Sequence, residues 1–351
     1  MRRLALLVVL IAACGKSASS GDDTMGPTAD APPLAGDKYS LTWGPVTVPA
    51  GQENTQCIWV RLGNDAEIEV HQMHNVLSTT SHHLIVYKDD MDMTEQTTPV
   101  NCQPFTGALN TTGMIEPIAI TQKKDDEITL PDQVGYKFAA HQMVKLEMHY
   151  INSGDTDQDT QASVDFFSAD PSTIKYEAAV LFTGSPDIGP PDSQGKPSGI
   201  APGASYTLHE FFTVPSYLDL SQSHIFAITG HEHKYGTGVQ LQVAPSPTGQ
   251  MTMVYNPMPF QWAEPATATF ATPFAIPQGG GLDIKCDWTN TGTTTAKFGE
   301  SAEDEMCFVW AYYYPSQGSK VCIHTNQIGG TTGYNACCPG DSACSLIGSQ
   351  F

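Results

Sequence analysis

Short apolar or alternating runs, each bounded by turn-forming residues, make up most of the chain after residue 38. Examples are residues 58–62, 84–87, 144–150, 225–228, 252–255 and 308–314. Clusters of Gly, Pro, Asn and Asp separate these runs, as in residues 152–160 and 189–199. No segment keeps a 3.6-residue apolar period over three turns, so the pattern indicates antiparallel strands rather than helices. We therefore expect an all-β protein.

The length of the chain predicts two domains. Its 351 residues exceed what one hydrophobic core usually serves. The segment SADPSTIKYE, residues 168–177, has the proline and polar content typical of a domain boundary. It divides the folded body into residues 38–172 and residues 173–351, and we expect antiparallel strands in each.

The charge balance excludes one class of partner. The chain carries 37 Asp and Glu against 16 Lys and Arg, a formal net charge of −21. Such a chain offers no basic surface for nucleic acid or for an anionic membrane. We expect no nucleic-acid partner.

The first residues, 1–14, have the composition of an export signal. Two arginines precede an apolar run at residues 4–11, which is too short to span a bilayer, and two alanines then precede Cys14. This arrangement resembles a bacterial lipoprotein signal, which implies a lipid on Cys14 and residence in the cell envelope, at the periplasm or the outer surface. Residues 15–37 are small and polar, as in a flexible tether. The alternative is an ordinary secretory signal with an incidental cysteine.

The cysteines predict disulfides. The chain has nine; if Cys14 carries lipid, the even number left suits an exported protein with four bridges. Two cysteines lie early, two lie later and four are bunched near the C-terminus, which predicts Cys57–Cys102 and Cys286–Cys307. The last four allow three pairings that the sequence leaves open: Cys322, Cys337, Cys338 and Cys344.

Three groups of histidines have the spacing of metal ligands. They are His82-His83, His149, and His231-Glu232-His233. Residues i and i+2 of a strand share a face, so His231 and His233 can offer two imidazoles to one ion. The adjacent His82 and His83 can do so only at a bulge or a strand end. Each motif alone is weak, because such histidines more often lie on the surface or in the core.

The ligand types narrow the metal to copper or zinc. Imidazole suits both ions in an exported protein, and a thioether shifts the choice toward copper. Met306 is the candidate thioether, with a backbone that a disulfide at Cys307 would fix. The alternative for Met306 is ordinary core filling.

Taken together, these motifs match one family. The segments HH (82–83), MHY (148–150), HEH (231–233) and DEMC (304–307), in this order, resemble the copper type II, ascorbate-dependent monooxygenases. That family includes peptidylglycine α-hydroxylating monooxygenase and dopamine β-monooxygenase. The resemblance covers roughly residues 40–325 and includes the spacing of the predicted disulfides.

The resemblance implies a fold and two metal sites. The fold is two antiparallel jelly-roll-like β-sandwiches that face each other across a solvent-filled cleft. His82, His83 and His149 match the ligands of an electron-transfer copper in the first domain. The implied catalytic residues are His231, His233 and Met306, which match the ligands of the copper in the second domain where O₂ reacts. We therefore expect two copper ions per chain, ascorbate or a similar reductant, O₂, a small-molecule substrate and a monomer.

The chain departs from the peptide-amidating members where they bind a carboxylate. Those members have an Arg two residues before the H-x-H motif, and an Asn and a Tyr two and four residues after the ligand Met. The matching positions here are Thr229, Phe308 and Trp310, which offer a carboxylate no charged or bidentate donor. Strand alternation adds Tyr312 to the face of Phe308 and Trp310. We expect these four residues to bind an apolar or aromatic substrate.

A second departure concerns Cys322. The family ties a cysteine near this position to an early strand of the second domain, but residues 206–214 contain no cysteine. Cys322 is therefore expected to pair within the C-terminal cysteine group.

The leading functional prediction is a lipid-anchored, exported copper monooxygenase that hydroxylates a C–H bond. The alternative is a non-catalytic copper-binding or copper-handling lipoprotein on the same scaffold, and a weaker one is an adhesion module without metal. All six ligand positions are filled, which favours catalysis.

Overall fold

The computed structural model describes residues 36–104, 113–326 and 333–344. The predicted signal at residues 1–14, with Cys14, and nearly all of the predicted tether lie outside the described residues. Within the described ranges, no helix has the length and apolar character needed to cross a membrane.

The described residues form strands joined by turns, with one 3₁₀ turn at Pro171–Thr173. The all-β prediction is confirmed. The strands are β1 (Lys38–Val48), β2 (Glu53–Arg61), β3 (Ile68–Leu77), β4 (Ser81–Asp89), β5 (Gln96–Asn101), β6 (Ile115–Thr121), β7 (Asp125–Thr129), β8 (Val134–Phe138), β9 (Met143–Ile151), β10 (Gln158–Ala169), β11 (Tyr176–Glu177), β12 (Ala179–Ser185), β13 (Ser205–Thr213), β14 (His224–His231), β15 (Gly236–Ala244), β16 (Thr252–Tyr255), β17 (Thr267–Phe274), β18 (Gly281–Thr289), β19 (Cys307–Tyr314), β20 (Lys320–Thr325) and β21 (Tyr334–Cys338).

Four sheets result. Sheet 1 has the order β1-β10-β3-β8-β11, with β7 also paired to β3, and sheet 2 has the order β5-β2-β9-β4-β6. Sheet 3 has the order β17-β14-β19-β12-β20-β21, and sheet 4 has the order β13-β18-β15-β16. If β5 and β7 are set aside, sheets 1 and 2 follow the strand order of a jelly roll, and β12–β19 repeat that order in sheets 3 and 4.

The predicted boundary at residue 172 lies in the connection between these two sets of strands. The 3₁₀ turn begins there with Asp170 as its N-cap, because the Asp170 side chain accepts a hydrogen bond from the Ser172 N–H. Strand β11 then pairs in parallel with β8, so sheet 1 extends slightly past the boundary. The division into two domains stays a prediction.

Strand β19 contributes to two cores because its side chains alternate between two faces. Phe308, Trp310 and Tyr312 belong to the core that includes residues of sheets 1 and 2. Val309, Ala311 and Tyr313 belong to the core of sheets 3 and 4. The Tyr312 hydroxyl accepts a hydrogen bond from the Ile120 N–H at 3.1 Å, so sheet 3 contacts sheet 2 directly.

Four disulfides lie in the described residues. Cys57–Cys102 and Cys286–Cys307 are bonded as the sequence predicts. The C-terminal cysteines, whose pairing the sequence left open, form Cys322–Cys337 and Cys338–Cys344. The first of these joins β20 to β21, where the two cysteines lie opposite each other in register.

Candidate metal centre

A β-bulge in β4 brings His82 and His83 to the same place. Ser81 lies opposite Tyr150 of β9, and His83 lies opposite His149, so His82 is the extra residue in the ladder. The bulge removes the strict alternation that would separate adjacent side chains. One ring nitrogen of each of His82, His83 and His149 lies within 4.8 Å of the others. We call these three residues the first set.

His231 and His233 are held by a strand end and a turn. His231 is the last residue of β14, and His233 follows it outside the strand, so strand alternation does not explain their pairing. Their ring centroids are still only 5.0 Å apart. We call His231 and His233, with the predicted ligand Met306, the second set.

The buried carboxylate of Glu305 fixes this turn. Glu305 accepts hydrogen bonds from the backbone N–H of His233 at 2.9 Å and of Tyr235 at 2.7 Å. It also accepts one from Trp288 Nε1–H at 2.9 Å. Because Glu305 directly precedes Met306, one side chain ties the histidine turn to the entrance of β19.

Hydrogen bonds at Nδ1 select the metal-binding nitrogen of both histidines. His233 Nδ1 lies 3.2 Å from the Asp304 carbonyl oxygen, and His231 Nδ1 lies 2.7 Å from Gln122 Oε1. The Gln122 amide nitrogen donates to the Gly230 carbonyl at 3.4 Å, which fixes the orientation of that amide. With the hydrogen on Nδ1, the Nε2 lone pair of a neutral imidazole is left for a metal.

The two histidine sets form one cluster. The ring centroid of His82 lies 5.8 Å from that of His231 and 5.5 Å from that of His233. All five histidines are 5% exposed or less. The structure thus differs from the expected solvent-filled cleft, because histidines of both halves are buried in contact with one another.

Burial keeps the five histidines neutral. It lowers the pKa of His82, His83 and His231 well below the usual value, and the neighbouring histidines lower it further. Burial likewise lowers the pKa of His149 to about 3 and of His233 to about 4. Neutral imidazole is the form that binds a metal ion, so the sites need no deprotonation near pH 7.

The donor atoms fit copper. The Nε2 atoms of His82, His231 and His233 are buried without a hydrogen-bond partner, which is costly unless an ion occupies the site. Cys57, Cys102 and Glu147 also lie within ligand distance of one another. Those two cysteines are bonded to each other, so they offer no thiolate.

Met306 is fully buried, directly before β19. It lies in the core that includes Phe308 and Trp310. Its role as a ligand stays a prediction.

The four predicted substrate-binding residues are buried. Phe308 stacks on Phe182, with ring centroids 4.5 Å apart, and Trp310 lies 5.5 Å from the His231 ring. The Thr229 hydroxyl bonds to that of Thr267 at 2.9 Å, and Tyr312 bonds to Ile120. These four residues lie next to His231 in the register of β14 and β19 and form a wall, in which Tyr312 contacts the first half of the chain.

Sequence patterns missed the residues that join the two sets. Gln122 and Glu53 come from the first half but bond to the second: Glu53 Oε2 accepts the Ala302 N–H at 3.1 Å and lies 4.0 Å from His149 Nε2. The Trp262 ring, from the second half, lies 5.7 Å from that of His82. Glu305 stood inside the DEMC motif, but no local pattern marked Gln122, Glu53 or Trp262.

A family comparison covers the second set. Residues 209–334 match the family described as copper type II ascorbate-dependent monooxygenase, C-terminal domain. The matched segment contains His231, His233 and Met306. This part of the chain is therefore similar to the C-terminal domain of that copper monooxygenase family. That family is described as copper- and ascorbate-dependent, and the histidine groups of this chain could hold a metal ion.

Solved structures resemble the chain only weakly. The major capsid protein P2 of bacteriophage PM2 has 8% identity and a TM-score of 0.30, over 80% of this chain and 100% of that chain. A protein of Parabacteroides distasonis described as secreted has 8% identity and a TM-score of 0.19, over 82% of this chain and 86% of that chain. Similarities this low support no functional conclusion.

Proposed function

We propose that this protein is a copper-dependent monooxygenase that hydroxylates a C–H bond of a small apolar or aromatic substrate. The observation that carries the proposal is the buried cluster of five histidines, two of which, His231 and His233, lie in the segment that matches the family. The first set would hold one copper ion, and the second set would hold the other. O₂ and an ascorbate-like one-electron donor complete the reaction.

The reaction sets what the chain must do. The C–H bond is replaced by C–O–H, the second oxygen atom leaves as water, and two electrons and two protons are consumed. Copper, when bound, supplies the one-electron redox chemistry. The residues of the chain supply two neutral, buried ligand sets, and Gln122 and Glu305 orient the second of them. Two sites allow two single electrons to be stored before the substrate is oxidised.

The wall next to His231 supports an apolar substrate. Thr229, Phe308 and Trp310 offer no charge to a carboxylate, whereas the rings offer a surface for stacking. Because the wall is buried and Tyr312 is bonded to Ile120 of sheet 2, sheets 2 and 3 must separate locally for a substrate to enter.

The same packing favours one second candidate. A non-catalytic copper-binding protein needs the ligands but needs no space for a substrate beside them. The burial of Phe308, Trp310 and Tyr312 is the observation in favour of this candidate.

Oxygen uptake distinguishes the two. The protein is loaded anaerobically with copper and reduced with ascorbate, and uptake is then measured with a panel of neutral aromatic and aliphatic substrates. If the protein is a monooxygenase, oxygen uptake should depend on the substrate and yield one hydroxylated product per O₂. This uptake should be abolished in His233→Ala and retained in the control His209→Ala on sheet 4. Binding of two copper ions without substrate-dependent uptake would instead establish the copper-binding protein.

We also propose that the protein is exported and lipid-anchored through Cys14, and that it is a monomer. The four disulfides support an oxidising compartment. Membrane fractionation of cells that express Cys14→Ser tests the anchor: release of the protein from the membrane is expected, and unchanged retention would contradict it.

A further inference from the structure

His82 has a second group of neighbours besides the first set. One ring nitrogen of each of His82, His231 and His233 lies within 4.8 Å of the others. His82 belongs to sheet 2, whereas His231 ends β14 of sheet 3, so this group spans both halves of the chain. His82 is thus shared between two possible trihistidine groups.

Each member of this cross-half group has an orphaned ring nitrogen. The Nε2 atoms of all three residues are buried and have no hydrogen-bond partner. His231 and His233 each use Nδ1 for a hydrogen bond, to Gln122 and to the Asp304 carbonyl, so Nε2 is their acceptor nitrogen. Three buried ring nitrogens without a hydrogen-bond partner form an incomplete site until a cation binds.

We propose that His82, His231 and His233 form a trihistidine copper site that spans the two halves of the chain. This site differs from the two sets within the halves, because His82 replaces Met306 as the third donor. Three neutral imidazoles suit Cu(I) as well as zinc. The identity of the metal rests on the proposed function, but the cross-half geometry does not. An ion bound there would stabilise the packing of sheet 2 on sheet 3. Loss of the ion would weaken that packing.

The test removes His83 and His149 from the first set and leaves the cross-half group intact. The double variant His83→Ala/His149→Ala keeps His82, His231 and His233. Cu(I) binding is measured anaerobically by competition with a chromophoric chelator, without substrate or turnover. We expect one Cu(I) per chain, and we expect the further change His82→Ala to weaken its binding at least about 100-fold, beyond the usual effect of losing a residue that only orients a ligand.

A matched control removes a histidine outside the cluster. His74 lies on β3 of the same half and bonds to Asp125, so His74→Ala in the double variant should leave Cu(I) affinity unchanged. Thermal unfolding gives a second readout, since an ion that binds only the folded state raises its midpoint. Copper should raise the midpoint of the double variant and of its His74→Ala derivative, but not that of the His82→Ala derivative.

Equal Cu(I) affinity with and without His82 would overturn the proposal, because the ion would then be held by the second set alone. If the double variant does not fold, variants of the full protein decide. His82→Ala and His233→Ala should then each weaken the same copper ion, so that combining the two changes leaves the other ion bound; loss of both ions in His82→Ala/His233→Ala would overturn the proposal. Failure of the proposed function is a separate result. If oxygen uptake is absent but His82→Ala still weakens Cu(I) binding, the cross-half site stands without the monooxygenase activity.

Discussion

The two histidine sets lie side by side but are built by different means. In the first set, the backbone supplies the geometry, since a bulge in β4 and its register with β9 place His82, His83 and His149 together. In the second, side chains supply it: Glu305 holds the turn, and Gln122, from the other half, holds the ring of His231. A set built by strand register should tolerate changes in nearby side chains, whereas a set built by hydrogen bonds should fail when one is removed.

The largest effect is expected at Glu305. Glu305→Ala leaves two backbone N–H groups and the Trp288 indole N–H buried without an acceptor, at about 1–3 kcal/mol each, so we expect a loss of roughly 4 kcal/mol in the free energy of unfolding. Copper binding should be lost at the second set and retained at the first. Urea unfolding and copper stoichiometry measure the two effects.

Two variants control this prediction. Glu305→Gln keeps an acceptor oxygen and should recover part of the stability, and Glu127→Ala on the exposed strand β7 should match the parent protein. Equal loss of copper from both sets in Glu305→Ala would show that the sets do not differ in construction.

A smaller effect concerns the pH dependence of folding stability. The two sets are alike here, because burial lowers the pKa of the histidines in both. Burial lowers the pKa of His149 to about 3 in the folded protein. As the pH falls below about 6.5, this histidine therefore takes up a proton in the unfolded chain but not in the folded protein. Folding stability from this residue is therefore lost on acidification. Between pH 7 and pH 5, the metal-free parent should lose about 2 kcal/mol relative to His149→Gln.

The same comparison applies to the second set. Burial lowers the pKa of His233 to about 4, so His233→Gln should give a similar difference. Urea unfolding of the metal-free proteins at the two pH values measures it. A stability difference between parent and variant that is the same at pH 7 and pH 5 would mean that the histidine is not held neutral.

The smallest effect is expected at Gln122. Gln122→Leu removes the acceptor for His231 Nδ1–H, and loss of such a partner typically weakens metal binding 10- to 100-fold. We expect about tenfold weaker Cu(I) binding at the second set, near 1.4 kcal/mol, and no change at the first. Gln122→Glu keeps an acceptor and should restore most of the affinity. Equal affinity in Gln122→Leu and the parent would assign the orientation of His231 to the strand alone.

The sequence predicted what depends on local pattern. Turn residues and alternation located the strands, and the alternation of Phe308, Trp310 and Tyr312 on one face of β19 is confirmed by their shared core. The condition stated for His82 and His83, a bulge or a strand end, is the geometry that the structure contains.

What the sequence could not supply depends on packing between distant segments. Gln122 and His231 meet only because sheet 2 packs on sheet 3, and neither segment carries a local sign of the other. His233 was expected on a strand, but β14 ends at His231 and the turn depends on Glu305. The pairing of four cysteines close together in sequence depends on the register of β20 with β21, which spacing does not fix.

The contact between the two sets can be measured directly by electron paramagnetic resonance of the protein loaded with two Cu(II) ions. With ring centroids of the sets only 5.5 to 5.8 Å apart across the halves, the two spins should be strongly coupled. The spectrum should then be broadened, with a half-field transition and an integrated intensity well below that of two isolated ions. Two narrow, independent signals that integrate to two full spins per chain would contradict a single buried cluster. That result would support two sites separated by solvent.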